Sequence, residues 1–438
     1  MVAPLFVVAG VLMLALASCT ELTRSGRIHD RLDLPLDYAV LGQQKSGTST
    51  LWMHLKSHPD IAWVGKSKET LWFNGDYART TLCDNDLEYY QRTIMYVRTV
   101  HNRAHVLVGD WSATHLSCLC CPLVFKMMNP KIKLLVVLRE PVERALSRFM
   151  EQKVLDFGAC HKEVLNETFA SYVTKELQQL QRCRKMAARY RIASQLEHEL
   201  ERTTGTELPP SSPPSSQMLL QQSPKYGWGA TMDLGHWMAA QCVAKSNIIG
   251  WSVYDVFLEN YLAHFPHEQV QVLYTDDLAA HPLGVIRRVE AFLRVPPGNY
   301  TDEKLAVIYN SRGCYSWQCA RNKTDVQWIG SGAFSSSSNN SGDRSSSSDS
   351  TSSGGTLQPL KSNRGTVSDE ALPEPDQPQS QSQHIPQDGP NTQAVARLRN
   401  FYRPHMQRLF SWADQGLIAP PPASWRSRYE SLEGGATD

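Results

Sequence analysis

Hydrophobic residues along the chain fall into short continuous runs, separated by stretches with helical spacing. Tyr38 to Leu41, Ile61 to Val64, Val106 to Val108, Lys133 to Leu138 and Val270 to Tyr274 are runs of strand length. Leu134 to Leu138 has no polar alternate, as expected for a parallel strand covered on both faces. Between the runs, residues 48–58, 84–100, 142–152, 161–202, 250–265 and 283–295 carry apolar side chains at helical intervals. Strands alternating with helices predict an α/β fold, a P-loop-like and mostly parallel sheet flanked by helices. Ligands of such sheets bind outside the carboxyl ends of the strands.

The pattern lapses in three places. Residues 2–17 are almost wholly apolar, long enough for a signal-peptide core and short for a membrane span, so 1–20 reads as a signal peptide or a signal anchor. A Pro/Ser-rich break lies at about 203–224. Residues 331–393 are rich in Ser, Gly, Gln and Pro and cannot bury enough apolar surface to offset ordering entropy. They are expected to be a disordered insertion, because 394–412 regains helical spacing with a kink at Pro404. The segment 394–430 is expected to return to a single domain that otherwise spans 36–330.

Composition narrows the class. The net charge is +1, which argues against a nucleic-acid partner. Residues 331–390 hold seven acidic and three basic side chains, leaving the remainder mildly basic. Acceptor sequons at Asn166, Asn299, Asn322 and Asn339, together with ten cysteines, fit a secretory compartment permissive of disulfides. Cys314 and Cys319 could pair across a short loop. His115 with Cys118, Cys120 and Cys121 suggests zinc, but no second cysteine or histidine pair completes four ligands. No metal is expected.

Candidate chemistry begins where the first strand ends. Gly42 opens a loop carrying Lys45, Ser46, Gly47, Thr48, Ser49 and Thr50 ahead of a helix. A strand, a small-residue loop and a helix N-terminus form an anion cradle of backbone amides, to which lysine adds charge and the hydroxyls add donors. The order differs from G-x-x-x-x-G-K-[ST], since lysine precedes the second glycine, so a nucleotide triphosphatase fits poorly. A second segment, Leu138 to Phe149, places Arg139 at a strand end and Ser147 two helical turns on, a guanidinium and a hydroxyl that could converge on another anion. Arg144 and Arg148 read as ordinary surface arginines. A third, Lys66 to Phe73, packs Lys68, Glu69 and Trp72 into eight residues.

Together these segments resemble the Golgi-type carbohydrate sulfotransferases, especially the heparan sulfate and N-acetylgalactosamine 4-sulfate 6-O types. G-x-x-K-S-G-T-[ST] at Gly42 resembles the 5′-phosphosulfate loop, and L-R-x-P-x-x-R-x-x-S at Leu138 the 3′-phosphate site. K-E-x-x-W-F at Lys68, Gly250-x-x-x-Tyr254, the strand exit at 270–278 and the helix around Leu398 to Pro404 extend the likeness. The resemblance implies a catalytic domain that uses 3′-phosphoadenosine 5′-phosphosulfate (PAPS) as co-substrate, without a metal, and a glycan or polysaccharide acceptor. It implies residence in the Golgi lumen or secretory pathway, as a type II membrane protein if the anchor is retained. Lys45 would stabilise the leaving phosphate, and Ser46, Gly47, Thr48, Ser49 and Thr50 would hold the phosphosulfate. Arg139 and Ser147 would hold the 3′-phosphate, with Arg312 as a further contact. Glu69 would be the general base, with Lys68 and Trp72 near the acceptor. Leu71 stands where heparan-type enzymes often have histidine, and His115 is the alternative base. The competing readings are a P-loop kinase, with Asp110 holding magnesium, and a non-catalytic glycan-binding relative.

Overall fold

The computed structural model describes residues 36–65, 68–73, 87–101, 106–154, 162–204, 234–311, 320–322 and 390–430. The N-terminal apolar segment, the 331–389 portion of the insertion, Arg312, and the Cys314 and Cys319 pair lie outside them. In chain order the elements are β1 (Tyr38–Gly42), α1 (Thr48–Leu55), β2 (Ile61–Trp63), α2 (Leu87–His101), β3 (Leu107–Asp110) and α3 (Cys121–Met128). They continue with β4 (Lys133–Leu138), α4 (Pro141–Val154), α5 (Phe169–Thr204), α6 (Leu234–Ala244), α7 (Tyr254–His264), β5 (Val270–Tyr274) and α8 (Pro282–Leu293). A small hairpin, β6 (Val307–Tyr309) and β7 (Ala320–Asn322), precedes α9 (Pro390–Asp414) and α10 (Ala423–Glu430).

The main sheet is parallel throughout, in the order β2-β3-β1-β4-β5. Alternate strand residues feed two separate cores, as the two-residue period of a strand requires. Tyr38, Val40, Leu135 and Val137 pack with Leu51, Trp52 and Leu55 of α1 and with Val285, Ile286 and Val289 of α8. Ala39, Leu41, Leu134, Val136 and Leu138 pack on the other face with α4, α7 and α9 through Ala145, Phe149, Tyr254, Phe257 and Leu398. The sheet is thus covered on both sides, which is why its strands read as continuous apolar runs.

Two sequence expectations shift. Gly109 and Asp110 lie beyond the apolar Val106 to Val108 run, yet they are the last residues of β3 and pair with Tyr38 and Ala39. Gly109 lies under the Tyr38 ring, where a Cβ would come within 2.2 Å of the ring carbons. The helix α5 carries through Thr203 and Thr204, which composition had placed in the Pro/Ser break. A disulfide from Cys183 in α5 to Cys242 in α6 closes a loop around that break. In the chain-entropy model a loop of this length contributes about 4 kcal/mol.

α9 brings Leu398, Tyr402, Met406, Leu409 and Phe410 into the same core as α4 and α7. The Tyr402 hydroxyl donates to Ile249 O at 2.8 Å. Among the described residues, no helix is long and apolar enough to cross a membrane.

Candidate active site

The carboxyl ends of β1, β3 and β4 converge on the loop 43–47. Gly42 has φ +116°, and a Cβ there would stand 2.1 Å from Ala113 O, so only glycine lets this loop lie against the one that follows β3. Gly47, at φ +88°, is the N-cap of α1.

The loop carbonyls are held from behind. Arg144 Nη1 donates to Gln44 O at 3.3 Å, Arg139 Nη1 to Lys45 O at 3.4 Å and Thr275 Oγ1 to Ser46 O at 2.7 Å. In a trans peptide C=O and N–H point oppositely, so the amides of Lys45 and Gly47 are turned towards the cradle. The first-turn amides of α1 add donors that have no acceptor within the helix. The Ser46 hydroxyl and both amide atoms of Gln43 are buried in this loop without a hydrogen-bond partner. Buried polar atoms left unpaired in this way are expected where a polar ligand completes the site.

The other loop hydroxyls are engaged. Thr48 Oγ1 accepts from Lys68 Nζ at 3.3 Å. Asn310 Nδ2 donates to Ser49 Oγ at 3.5 Å, and Thr50 Oγ1 accepts from Tyr309 N at 3.0 Å. β6 and Asn310 therefore close one side of the cradle. Arg312 follows them in sequence, outside the described residues.

Lys68 joins two sequence-predicted groups. Its ammonium, almost wholly buried, contacts Thr48 on the loop and the Glu69 carboxylate. Glu69 is 29% exposed, so a carboxylate opens to solvent one side chain away from the anion cradle. Its segment has no regular secondary structure and is pinned by the last residue of β3 and by Ser112 just beyond it. Ser112 Oγ accepts from the amides of Thr70 (3.2 Å) and Leu71 (3.0 Å), and Thr70 Oγ1 donates to Asp110 Oδ2 at 2.7 Å. Tyr90 donates to the same oxygen at 2.6 Å. Asp110 is thus a buried anchor for the Glu69 segment, its Oδ2 facing Thr70 and Tyr90. Trp72, half-buried, stacks on Tyr90 with ring centroids 5.5 Å apart.

Arg144 and Arg148, expected on the surface, are fully buried. Arg144 Nε donates to Ser252 Oγ at 2.6 Å and Nη2 to Asn247 O at 2.9 Å, besides its bond to the loop. Arg148 pairs with Glu151 at 2.6 Å. Ser147 is buried beside them on α4. Glu143 bridges Arg139, at 3.5 Å, to Arg428 of α10, at 3.0 Å. Glu151 escaped the sequence reading. Its Oε1 accepts from Lys45 Nζ at 2.7 Å, a pair with side chains 4% and 8% exposed. Asn310 Oδ1 lies 3.4 Å from the same ammonium.

His115 and the cysteines have other roles. Cys118 is disulfide-bonded to Cys121, which removes both from any zinc set. His115 is fully buried between Phe73 and Phe125, with neither ring nitrogen hydrogen-bonded, and its Nδ1 is 3.7 Å from Asp110 Oδ1. A base with no exposed surface does not meet an acceptor from solvent. Burial lowers its pKa from the ordinary 6.5, while Asp110 and Glu69 pull it back. The unfolded chain then binds a proton that the fold refuses, so stability falls as pH drops below about 6.5 towards the folded value, by up to about 1.4 kcal/mol per unit. His115→Gln is expected to flatten this acid limb, read as a smaller fall in Tm between pH 7.5 and 5.5 than in the wild type.

Residues 35–312 match the sulfotransferase domain family. The chain is 25% identical over 284 residues to the membrane-associated sulfotransferase kil1 of Dictyostelium discoideum, covering 61% of this chain and 58% of that protein. It is 23% identical over 273 residues to heparan sulfate glucosamine 3-O-sulfotransferase 5 of Homo sapiens, covering 62% and 57%. The match thus spans less than two thirds of these relatives. A sulfotransferase structure from Alicyclobacillus acidocaldarius aligns at TM-score 0.36 with 21% identity, over 61% of this chain and 87% of that one.

Proposed function

The chain belongs to the sulfotransferase domain family, and from that premise we propose that it sulfates a hydroxyl of a glycan or glycosaminoglycan-like polysaccharide, with PAPS as donor. The observation that carries the reading is Lys68, whose ammonium touches both the anion loop and the Glu69 carboxylate. A base and an anion cradle are thereby set side by side, as transfer of an anionic group to a hydroxyl requires. The heparan sulfate relative supports a glycan acceptor.

The residues present fit PAPS. The unpartnered Ser46 hydroxyl and Gln43 amide line the loop that would hold its 5′-phosphosulfate. Arg139, tied to that loop through Lys45 O, and Ser147 on α4 would hold the 3′-phosphate. When bound, PAPS supplies an activated sulfuryl group. Lys45 and the loop amides neutralise charge that grows on the 5′-phosphate side, the kind of preorganised stabilisation that dominates such sites. Glu69 takes the proton of the acceptor hydroxyl at its carboxylate oxygen, and Lys68 keeps that carboxylate beside the loop. Trp72 offers a half-buried ring edge to the acceptor. No residue in this scheme needs a metal.

The 36–330 and 390–430 segments together form the catalytic domain in this reading, with 331–389 inserted, since α9 begins at Pro390, and with 1–20 directing the chain to the Golgi lumen or secretory pathway. The name of the Dictyostelium relative, a membrane-associated sulfotransferase, is in keeping with a membrane-bound setting.

Ser112 positions the base. Ser112→Ala leaves the amides of Thr70 and Leu71 without their acceptor, worth about 1–3 kcal/mol. Turnover is expected to fall about 10-fold with little change in donor KM, checked by steady-state kinetics beside thermal unfolding.

The decisive experiment is transfer of radiolabelled sulfate from PAPS to a panel of glycans, followed by linkage analysis. Labelled product on one glycan class is expected. Absence of transfer, with binding of magnesium-ATP preferred over adenosine 3′,5′-bisphosphate, overturns the reading in favour of a nucleotide kinase.

A further inference from the structure

Resting on the PAPS reading, we infer that Glu151 is the resting counter-anion of Lys45, and that donor binding exchanges this carboxylate for the donor's anion. Glu151 thereby sets how tightly the donor is held.

The geometry is that of an occupied anion site. Lys45 Nζ lies 2.7 Å from Glu151 Oε1, and Arg148 Nη1 lies 2.6 Å from Oε2. Both carboxylate oxygens are therefore satisfied by cations in a buried setting. Glu151 stands one helical turn beyond Ser147, so the two share a face of α4 beside the loop. The surroundings are rich in positive charge. Arg139 and Arg144 reach the loop carbonyls, and Lys68 reaches Thr48. Glu143 lies beside Arg139, Glu69 beside Lys68, and Asn310 closes the other side of the Lys45 ammonium.

Charge states agree with this arrangement. Burial pushes the Lys45 pKa down, Glu151 raises it, and Arg148 and Arg139 add to the lowering. Burial pushes the Glu151 carboxyl up, but Lys45 and Arg148 more than offset that and hold it below the ordinary carboxylate value. Each partner thus favours the charged form of the other. Arg148 shares the helix with Glu151 and keeps hold of it, whereas Lys45 sits on the loop and turns from Glu151 to an incoming phosphosulfate. The carboxylate is then left near the bound anion, and both the broken contact and the like-charge approach oppose binding.

The test is equilibrium binding of adenosine 3′,5′-bisphosphate by calorimetry, which needs no turnover. Glu151→Gln keeps an acceptor for Arg148 but removes the charge from Lys45, and is expected to bind the bisphosphate about 10-fold tighter than the wild type. Equal or weaker binding overturns the inference. If the wild type binds the bisphosphate no better than adenosine, the PAPS reading itself fails, so the two failures are distinguishable. Glu151→Asp covers the case in which the glutamine variant does not fold. It keeps a carboxylate near Arg148 and withdraws it from Lys45, so it is expected to bind several-fold tighter than the wild type. Unchanged or weaker affinity there overturns the inference as well.

Discussion

Glu69→Gln is expected to lower kcat by about 10²- to 10⁴-fold, the range for loss of a general base, while leaving affinity for adenosine 3′,5′-bisphosphate within a few-fold. Glutamine has nearly the same shape and still accepts a hydrogen bond from Lys68, so the anion loop keeps its Lys68–Thr48 contact. What disappears is the site for the acceptor's proton. Glu69 suits that role because it is the exposed end of a pinned segment. The amides of Thr70 and Leu71 are fixed by Ser112, and Thr70 by Asp110, yet the carboxylate itself reaches solvent. Calorimetry with the bisphosphate and a single-turnover assay with labelled PAPS separate the two effects. Unchanged turnover would remove Glu69 from the base role. His115 is no ready substitute, since it is sealed between Phe73 and Phe125.

Much of this arrangement is readable in the amino-acid order, because short-range chemistry dictates it. Apolar runs without polar alternates mark strands buried on both faces, and Gly42 and Gly47 mark where the backbone must turn with positive φ. The limits are equally physical. On α4, Arg144, Ser147, Arg148 and Glu151 fall at helical positions i, i+3, i+4 and i+7. That spacing identifies one face of a helix, but it does not say what covers the face. A polar stripe is ordinarily solvated, and so Arg144 and Arg148 read as surface residues. Here the stripe packs against the β1 loop and the Asn247 to Ser252 segment, contacts between residues about a hundred positions apart. Once Ser147 is assigned to the site, the same spacing points to Glu151, and that is the signal that could have found it. Asn310 had no comparable signal beyond its nearness to Arg312. The cysteines carry an ambiguity of a different kind. A C-x-x-C pair has the ligand spacing of a metal site and also the reach of a disulfide, and Cys118 and Cys121 form the latter.

Lys45→Ala should lower kcat by about 10²- to 10³-fold, the usual loss when a preorganised donor to developing charge is removed. It should also weaken bisphosphate binding, and the weakening has a specific cause. With the ammonium gone, Glu151 stays in the cradle on Arg148 with its charge no longer balanced by the loop. The donor then meets a carboxylate where the wild type presents a lysine. Adding Glu151→Gln removes that repulsion, so the double variant should recover most of the lost affinity. It should not recover kcat, because no cation remains to meet charge on the leaving oxygen. The cycle of wild type, two single variants and the double variant, read by calorimetry and by kcat side by side, therefore separates Lys45's part in holding the donor from its part in the chemistry. If kcat returns along with affinity, Lys45 acts only as a clamp and the assignment to leaving-group stabilisation is wrong. If neither returns, the loop conformation itself depends on Lys45, which holds φ +70° between two arginine-bonded carbonyls.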